Sequence, residues 1–303
     1  MDKETKHLTA IQDRLIETHT QLVSRVWGEE TKLYNHAVLC SVNLPYRDPG
    51  DGVRVFQRES GGAALRLEAG ASPSPTGFQD VGLPFGPRAR LLLLHLCSEA
   101  VKQQSPLVEV ETSFTSFARS LGLSTNGKNL KTLREQIRRM SAVTMRLSRD
   151  HGSYIDVFQG PIFSKLRAET PTDPDQLTFW TSYVEFSQEF FQSLSQNAVP
   201  LSKDAIGALK HSSRALDIYV WLAYRLWRIH PSRSVKLKWT TLRFQFGERT
   251  QDINSFKRAF KSALNQVLLV YPKAQVKIVR GGIQIAQSPP PIPFKNKESN
   301  LLA

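Results

Sequence analysis

The sequence predicts an α+β chain that carries one supersecondary module twice, each copy running helix, strand, helix, turn, basic helix, β-hairpin. Three observations predict it. In residues 251–287, Ile253, Phe256, Phe260, Leu264 and Val267 fall three and four apart, the stripe of an α-helix. The period then changes: Val276, Ile278, Ile283 and Ile285 alternate with Lys277, Arg280 and Gln284, and Gly281-Gly282 between the runs reads as a two-residue hairpin turn. Residues 83–158 show the same order of elements in different residues, which makes two copies with a boundary near residue 200. Charge separates the halves as well. Residues 1–199 hold 22 Lys and Arg against 22 Asp and Glu, whereas residues 200–303 hold 18 against 5, the whole of the net +13.

A chain of 303 residues with 40% hydrophobic content has room for two ordinary cores. One basic half points to a polyanion partner on that half. A membrane surface is the rival polyanion, but no long basic amphipathic helix or lipidation signal supports it. The polar opening MDKETKH is followed by no apolar leader, and the run Leu91–Leu96 is too short to span a bilayer. The reading is therefore a soluble, cytoplasmic protein. Cys40 and Cys97 lack metal-ligand spacing and read as reduced structural thiols, and no cofactor is expected.

Taken in order, residues 1–30 read as an amphipathic helix through Leu8, Ile11, Leu15, Leu22 and Val26. Residues 31–199 form the first module. Within it the apolar run Ala37–Val42 reads as a strand, and Val53–Phe56 with Leu65–Leu67 as strands on either side of Gly61-Gly62. Residues 70–80 read as loop by composition. Pro87 opens a buried Leu-rich helix, and Leu107–Val110 is a short strand. A helix from Phe114 to Leu121 stops at Gly122, and a basic helix around Leu130, Leu133, Ile137 and Met140 follows. Thr144–Phe158 alternates and turns near Gly152. Leu177–Trp180 reads as a strand and Phe186–Phe191 as a helix. In the second module, residues 200–287, Ala215–Ile229 is apolar nearly all round, Val235–Trp239 is a strand, and Thr240-Thr241 can cap the next helix. Phe244, Phe246, Phe256 and Phe260 sit at core spacing. The tail 288–303 is proline-rich, then polar, and reads as disordered.

A basic helix followed by a basic hairpin is the reading unit of a winged-helix domain: the helix enters a major groove about 12 Å wide and the hairpin lies along neighbouring phosphates. Two in tandem cover roughly 20 bp on one face of a duplex. In the first module the candidate contacts are Lys128, Asn129, Lys131, Arg134, Gln136, Arg138, Arg139 and Arg146. In the second they are Arg243, Asn254, Lys257, Arg258, Lys261, Lys277 and Arg280. Arg suits guanine and Asn or Gln adenine, while Lys and Arg on phosphate make binding salt-dependent. The alternative for each charge is a solvated helix face, and Glu135 can pair with Arg138 or Arg139.

The segments LPFGPRARLLLLHLCSEA (83–100) and SFARSLGLSTNGKNLKTLREQIRRM (116–140), with the second basic module, resemble the RepA-type plasmid replication initiators of bacteria. That resemblance implies a protein that binds repeated origin sites (iterons), helps open the origin, recruits the host initiator DnaA and the replicative helicase, and represses its own promoter. It also implies DNA contact from Asn126–Arg139 and makes a homodimer an open alternative. A winged-helix transcriptional regulator and a nicking initiator or nuclease are the rivals. Enzyme signals are poor. Gly122–Asn129 nearly spells a phosphate-binding loop, but Asn129 replaces the metal-holding hydroxyl and a helix precedes it. Tyr154 beside His151 reads as a hairpin residue rather than a nucleophile.

Overall fold

The computed structural model describes residues 3–50, 52–74, 76–110, 113–169, 180–247 and 252–293. The chain opens with helix α1 (Lys3–Val23) and strand β1 (Lys32–His36), then two hairpins, β2 (Val55–Ser60) with β3 (Ala63–Glu68), and β4 (Ala71–Ser74) with β5 (Gly77–Asp80). Next come α2 (Gly86–Gln103), β6 (Leu107–Glu109), α3 (Phe114–Ser120), α4 (Gly127–Ala142), β7 (Thr144–Asp150) and β8 (Ile155–Pro161). Strands β9 (Phe163–Glu169) and β10 (Trp180–Phe186), helix α5 (Gln188–Gln196) and β11 (Ala198–Ser202) close the first half. The second half runs α6 (Lys203–Leu209), α7 (Ser213–Arg225), β12 (Ser234–Lys238), α8 (Trp239–Phe246), α9 (Ile253–Val270), β13 (Val276–Val279) and β14 (Gly282–Ala286). The content is α+β.

Three antiparallel sheets carry the body: β2-β3-β7-β8, β6-β10-β9 and β12-β14-β13. Two apolar clusters lie against them. One gathers Leu65, Leu67, Phe117, Leu133, Met140, Met145 and Phe190; the other gathers Tyr219, Trp221, Phe246, Phe256, Phe260, Leu264, Val267 and Ile285. Helix α2 serves both. Leu92, Leu93, Leu96 and Cys97 enter the first cluster and Leu91 and Leu94 the second, so a helix covered on two sides is leucine-rich nearly all round. Ile11 and Leu15 of α1 are buried in the second cluster, and β1 pairs with β11 from Lys32↔Ser202 to His36↔Ala198. Helix α1 thus reaches the second half, while β1 pairs with the strand that closes the first.

Several elements differ from the sequence reading. Ala37–Val42 is a buried turn, closed by Ser41 N–H to Val38 O (2.9 Å) and Val42 N–H to Val38 O (3.0 Å). An apolar run does not tell a buried turn from a buried strand. Residues 71–74 and 77–80 pair as the β4–β5 ribbon, although their Ser, Pro and Gly read as loop. Helix α8 begins at Trp239, so Thr240 and Thr241 lie inside it and do not cap it. The last hairpin pairs Val279 with Gly282, which makes Arg280-Gly281 the turn and leaves Gly281 at φ +88°. The proline tail packs through residue 292: Ser288 is fully buried, Ile292 is 2% exposed, and the Tyr271 hydroxyl donates to Pro289 O at 2.7 Å. Residues 294–303 of that tail, and 177–179 of the strand expected at Leu177–Trp180, lie outside the described residues.

A buried ion pair joins the halves. Arg90 on α2 meets Asp217 on α7 through two bonds of 2.7 and 2.8 Å, both side chains 6% exposed. Its remaining donors reach Pro45 O (3.0 Å), Gly86 O (2.9 Å) and Leu44 O (2.6 Å), so all five guanidinium N–H groups are used. The same junction holds Gln245 donating to Ser41 O (2.9 Å) and Arg58 to Gly247 O (3.0 Å).

At the end of β1, buried His36 accepts from Val38 N–H at Nδ1 (3.2 Å), so Nε2 carries the proton toward Ser193 Oγ (3.0 Å). Burial, helped by Arg149, lowers its pKa from 6.5 to about 4. The unfolded chain takes up a proton near 6.5 that the folded chain refuses, so this stability is full above that pH and is lost as pH falls toward 4. The loss approaches about 3 kcal/mol across that window. Urea midpoints between pH 7 and 4 should fall accordingly, and His36→Gln should flatten the decline; an unchanged slope in the variant would assign it to other groups.

Candidate nucleic-acid interface

Helix α9 starts sharply because the Asp252 carboxylate accepts from Asn254 N–H and Ser255 N–H, each at 2.9 Å. The hydroxyl and backbone of Ser255 hold that carboxyl below its usual range. Phe256, Phe260 and Val267 are fully buried, which turns Asn254, Arg258 and Lys261 outward, with Lys257 partly exposed beside them. Arg258 donates to Ser255 Oγ (3.2 Å), and Lys261 Nζ stands 5.7 Å from the Trp239 ring centroid. On the β13–β14 hairpin, Lys277 is exposed and Arg280 occupies the tip. Arg243 is exposed on α8. No ion pair among the described residues involves Arg243, Lys257, Arg258, Lys261, Lys277 or Arg280. Six cations outside any ion pair among the described residues thus lie on α8, α9 and the β13–β14 hairpin, with Asp252 near Arg258, an arrangement fit for a phosphate chain.

The first half is different. Helix α4 is capped by Asn126, which accepts from Asn129 N–H at 2.9 Å. Lys128 and Lys131 are exposed and unpaired among the described residues, and the Arg134 guanidinium sits 4.8 Å over the Phe114 ring. The other candidates have structural work. Gln136 is 1% exposed and accepts from Phe85 N–H at 2.8 Å, and Arg139 is 7% exposed. Arg139 pairs with Glu135 (2.7 Å) and Asp48 (2.9 Å) and donates to Leu83 O (3.1 Å). Gln136 and Arg139 therefore cannot read bases as the sequence suggested; burial removes them from any surface. Arg138 is forked onto Glu135 at 3.0 and 3.2 Å, Arg146 pairs with Glu68, and the Asn129 side chain accepts from Arg88. Those three are committed within the fold, though not buried.

Phe244, expected in the core, is 71% exposed. Leu242, Phe244 and Phe246 are spaced by two, which on a helix turns the middle residue about 200° from each neighbour. That spacing was the available signal. The β7–β8 hairpin carries Asp150, Asp156 and His151, with His151 paired to Asp156 (3.0 Å) and stacked on Tyr154 (4.5 Å between centroids). The same hairpin carries Arg146 and Arg149, so its charges balance where the second hairpin is basic. Gly127-Lys128-Asn129 forms the first turn of α4, behind helix α3 rather than a strand.

Among the described residues no three His, Cys, Asp or Glu side chains gather to hold a metal ion, and no helix is long and apolar enough to cross a membrane. Burial raises the thiol of Cys40 to about 12 and that of Cys97 further, so both are inert packing groups.

Two crystal structures of domains 2 and 3 of RctB, one a selenomethionine derivative, are similar to this chain in fold. Each has a TM-score of 0.51 at 11% identity; they cover 82% and 83% of this chain and 96% of their own. At that identity the likeness is one of fold. No curated protein matches the chain. The family model described as plasmid encoded RepA protein matches residues 83–241, from the loop before α2 through the start of α8. With more than half of its residues in that match, the chain belongs to the plasmid-encoded RepA protein family.

Proposed function

We propose that this chain is a plasmid replication initiator that binds repeated origin sites through two winged-helix modules, residues 31–199 and 200–287. The observation that carries the reading is the set of six cations on α8, α9 and the β13–β14 hairpin that form no ion pair among the described residues. A phosphate backbone supplies the charge they lack. In this reading α9 lies in a major groove, with Asn254, Lys257, Arg258 and Lys261 toward base edges and phosphates, and Lys277 and Arg280 flank it on the backbone. Helix α4 contributes Lys128, Lys131 and Arg134 in a neighbouring groove. Base-edge side chains set the sequence, and the cations set the affinity. Work at the origin would follow from occupancy of several repeats, with the host initiator DnaA and the replicative helicase as partners and a second copy of the chain as a further one. The chemistry proposed is binding, without catalysis.

Footprinting on the DNA that flanks the coding region, at two salt concentrations, tests this. The expected result is protection of direct repeats, each about two helical turns long, with affinity falling steeply as salt rises. Absence of any protected repeat would sink the reading.

A further inference from the structure

Phe78 is the most exposed aromatic ring among the described residues, at 81%. It does not hang on a loose loop. The β4–β5 ribbon pairs Phe78 with Pro73, and the Ser74 hydroxyl closes the turn by donating to Gly77 O (2.8 Å), with Thr76 Oγ1 at 3.3 Å. Gly77 takes a φ of +115°, open to glycine. The base of the ribbon is clamped by Arg54, which donates to Val81 O (2.9 Å), Ala69 O (2.8 Å), Gly70 O (3.1 Å) and Asp80 Oδ1 (3.3 Å). From residue 69 to 79 the sequence carries no charge. Among the described residues the ring packs into neither apolar cluster.

Its position gives it a use. Gly70 lies against the C-terminal end of α4, where a Cβ would come within 2.0 Å of Ala142 O, and Arg138 donates to Gln79 Oε1 at 3.5 Å. Lys131, Arg134 and Arg138, spaced by three and four, share one side of α4, with Arg138 held on Glu135, and the base of the ribbon meets the C-terminal end of that helix. A helix of this length spans about 24 Å, and the ribbon is itself roughly 13 Å long. If α4 lies in a major groove as proposed, a ribbon rooted at the end of that helix can reach the adjoining minor groove.

We propose that Phe78 is a wedge, inserted from the minor-groove side between two stacked base pairs beside the α4 contact. The proposal rests on duplex binding by α4 as proposed above. Apolar wedges of this kind unstack a step and kink the duplex. A neutral ribbon suits insertion between bases, and strand pairing with the Ser74 bond to Gly77 O holds the backbone that carries the ring, so less order is lost on binding.

The test uses the full chain and duplexes tiled from the DNA flanking its coding region, with 2-aminopurine placed at successive adenines. Wild type should brighten the probe several-fold at one step near one end of each protected repeat. Phe78→Ala should lose that signal and bind roughly three- to tenfold more weakly, while Phe78→Leu should keep most of it. The ring is solvent-facing, so thermal unfolding should be the same in all three. Tight, salt-sensitive binding with no brightening at any position, or equal brightening by Phe78→Ala, overturns the wedge and leaves the duplex-binding reading intact. So does loss of self-association in Phe78→Ala with DNA binding unchanged, which would make the ring a protein contact. No specific complex with wild type removes the duplex-binding reading and the wedge with it.

Discussion

Asp217→Ala should cost about 3–5 kcal/mol of folding stability, because it strands a charged guanidinium in the interior. Arg90 would keep its bonds to Pro45, Gly86 and Leu44 but lose both carboxylate contacts. The neighbourhood offers no substitute. Arg58 and Arg214 stand 5.4 and 5.3 Å from the Tyr46 ring centroid, on which Arg90 also stacks at 5.0 Å, so the surviving neighbours are like charges. For a chain of this size the expected reading is a fall in urea midpoint of roughly 1–2 M. Arg90→Met with Asp217→Leu should recover much of the loss, since it removes both charges and refills the volume. Arg90→Lys should not, because an ammonium cannot fork onto Asp217 while reaching three carbonyls. If Asp217→Ala unfolds at the wild-type midpoint, the pair contributes nothing and the halves are held together by their other contacts.

This junction also marks where the sequence stopped being readable. Periods within one element were plain: the stripe of α9 and the alternation of β13 and β14 name their buried residues, and Phe256, Phe260, Leu264, Val267, Ile283 and Ile285 are all in the second cluster. The lone face of α4 was equally legible, but not what its arginines do. Arg139 meets Asp48 from 91 residues away and Arg146 meets Glu68 from 78, distances at which no spacing rule operates. Only Glu135, within one turn, could be named as a partner, and it is one. The same limit hid the β1–β11 pairing and the burial of Ile11 and Leu15 against the second half. An outward side chain was misread where a strand-like spacing overlay a helix, as at Phe244, and a ribbon was read as loop where turn-forming residues built it, at β4 and β5. What the basic half displays is thus closer to its sequence than what the first half displays, since its cations are not drawn off by distant carboxylates.

That asymmetry predicts the salt response of DNA binding. Each phosphate neutralised contributes about 0.9 to the slope of log affinity against log salt. Replacing Lys257, Arg258 and Lys261 together by Ala should lower the slope by up to ~2.7 and weaken binding severely at low salt, with less difference at high salt. Lys128→Ala with Lys131→Ala should lower it by up to ~1.8 on the same argument. Arg146→Ala should leave the slope where it is, because that guanidinium already answers Glu68; any change would appear in stability instead. Fluorescence anisotropy titrations from about 50 to 200 mM salt span the range in which these slopes separate. The helix should survive the triple replacement, since Ala suits a helix interior and the buried side of α9 is untouched. An unchanged slope in the triple variant would remove α9 from the interface. A slope change of similar size for Arg146→Ala would mean that the ion pairs of the first half open on DNA, so that the bound chain presents charges which the free chain keeps paired.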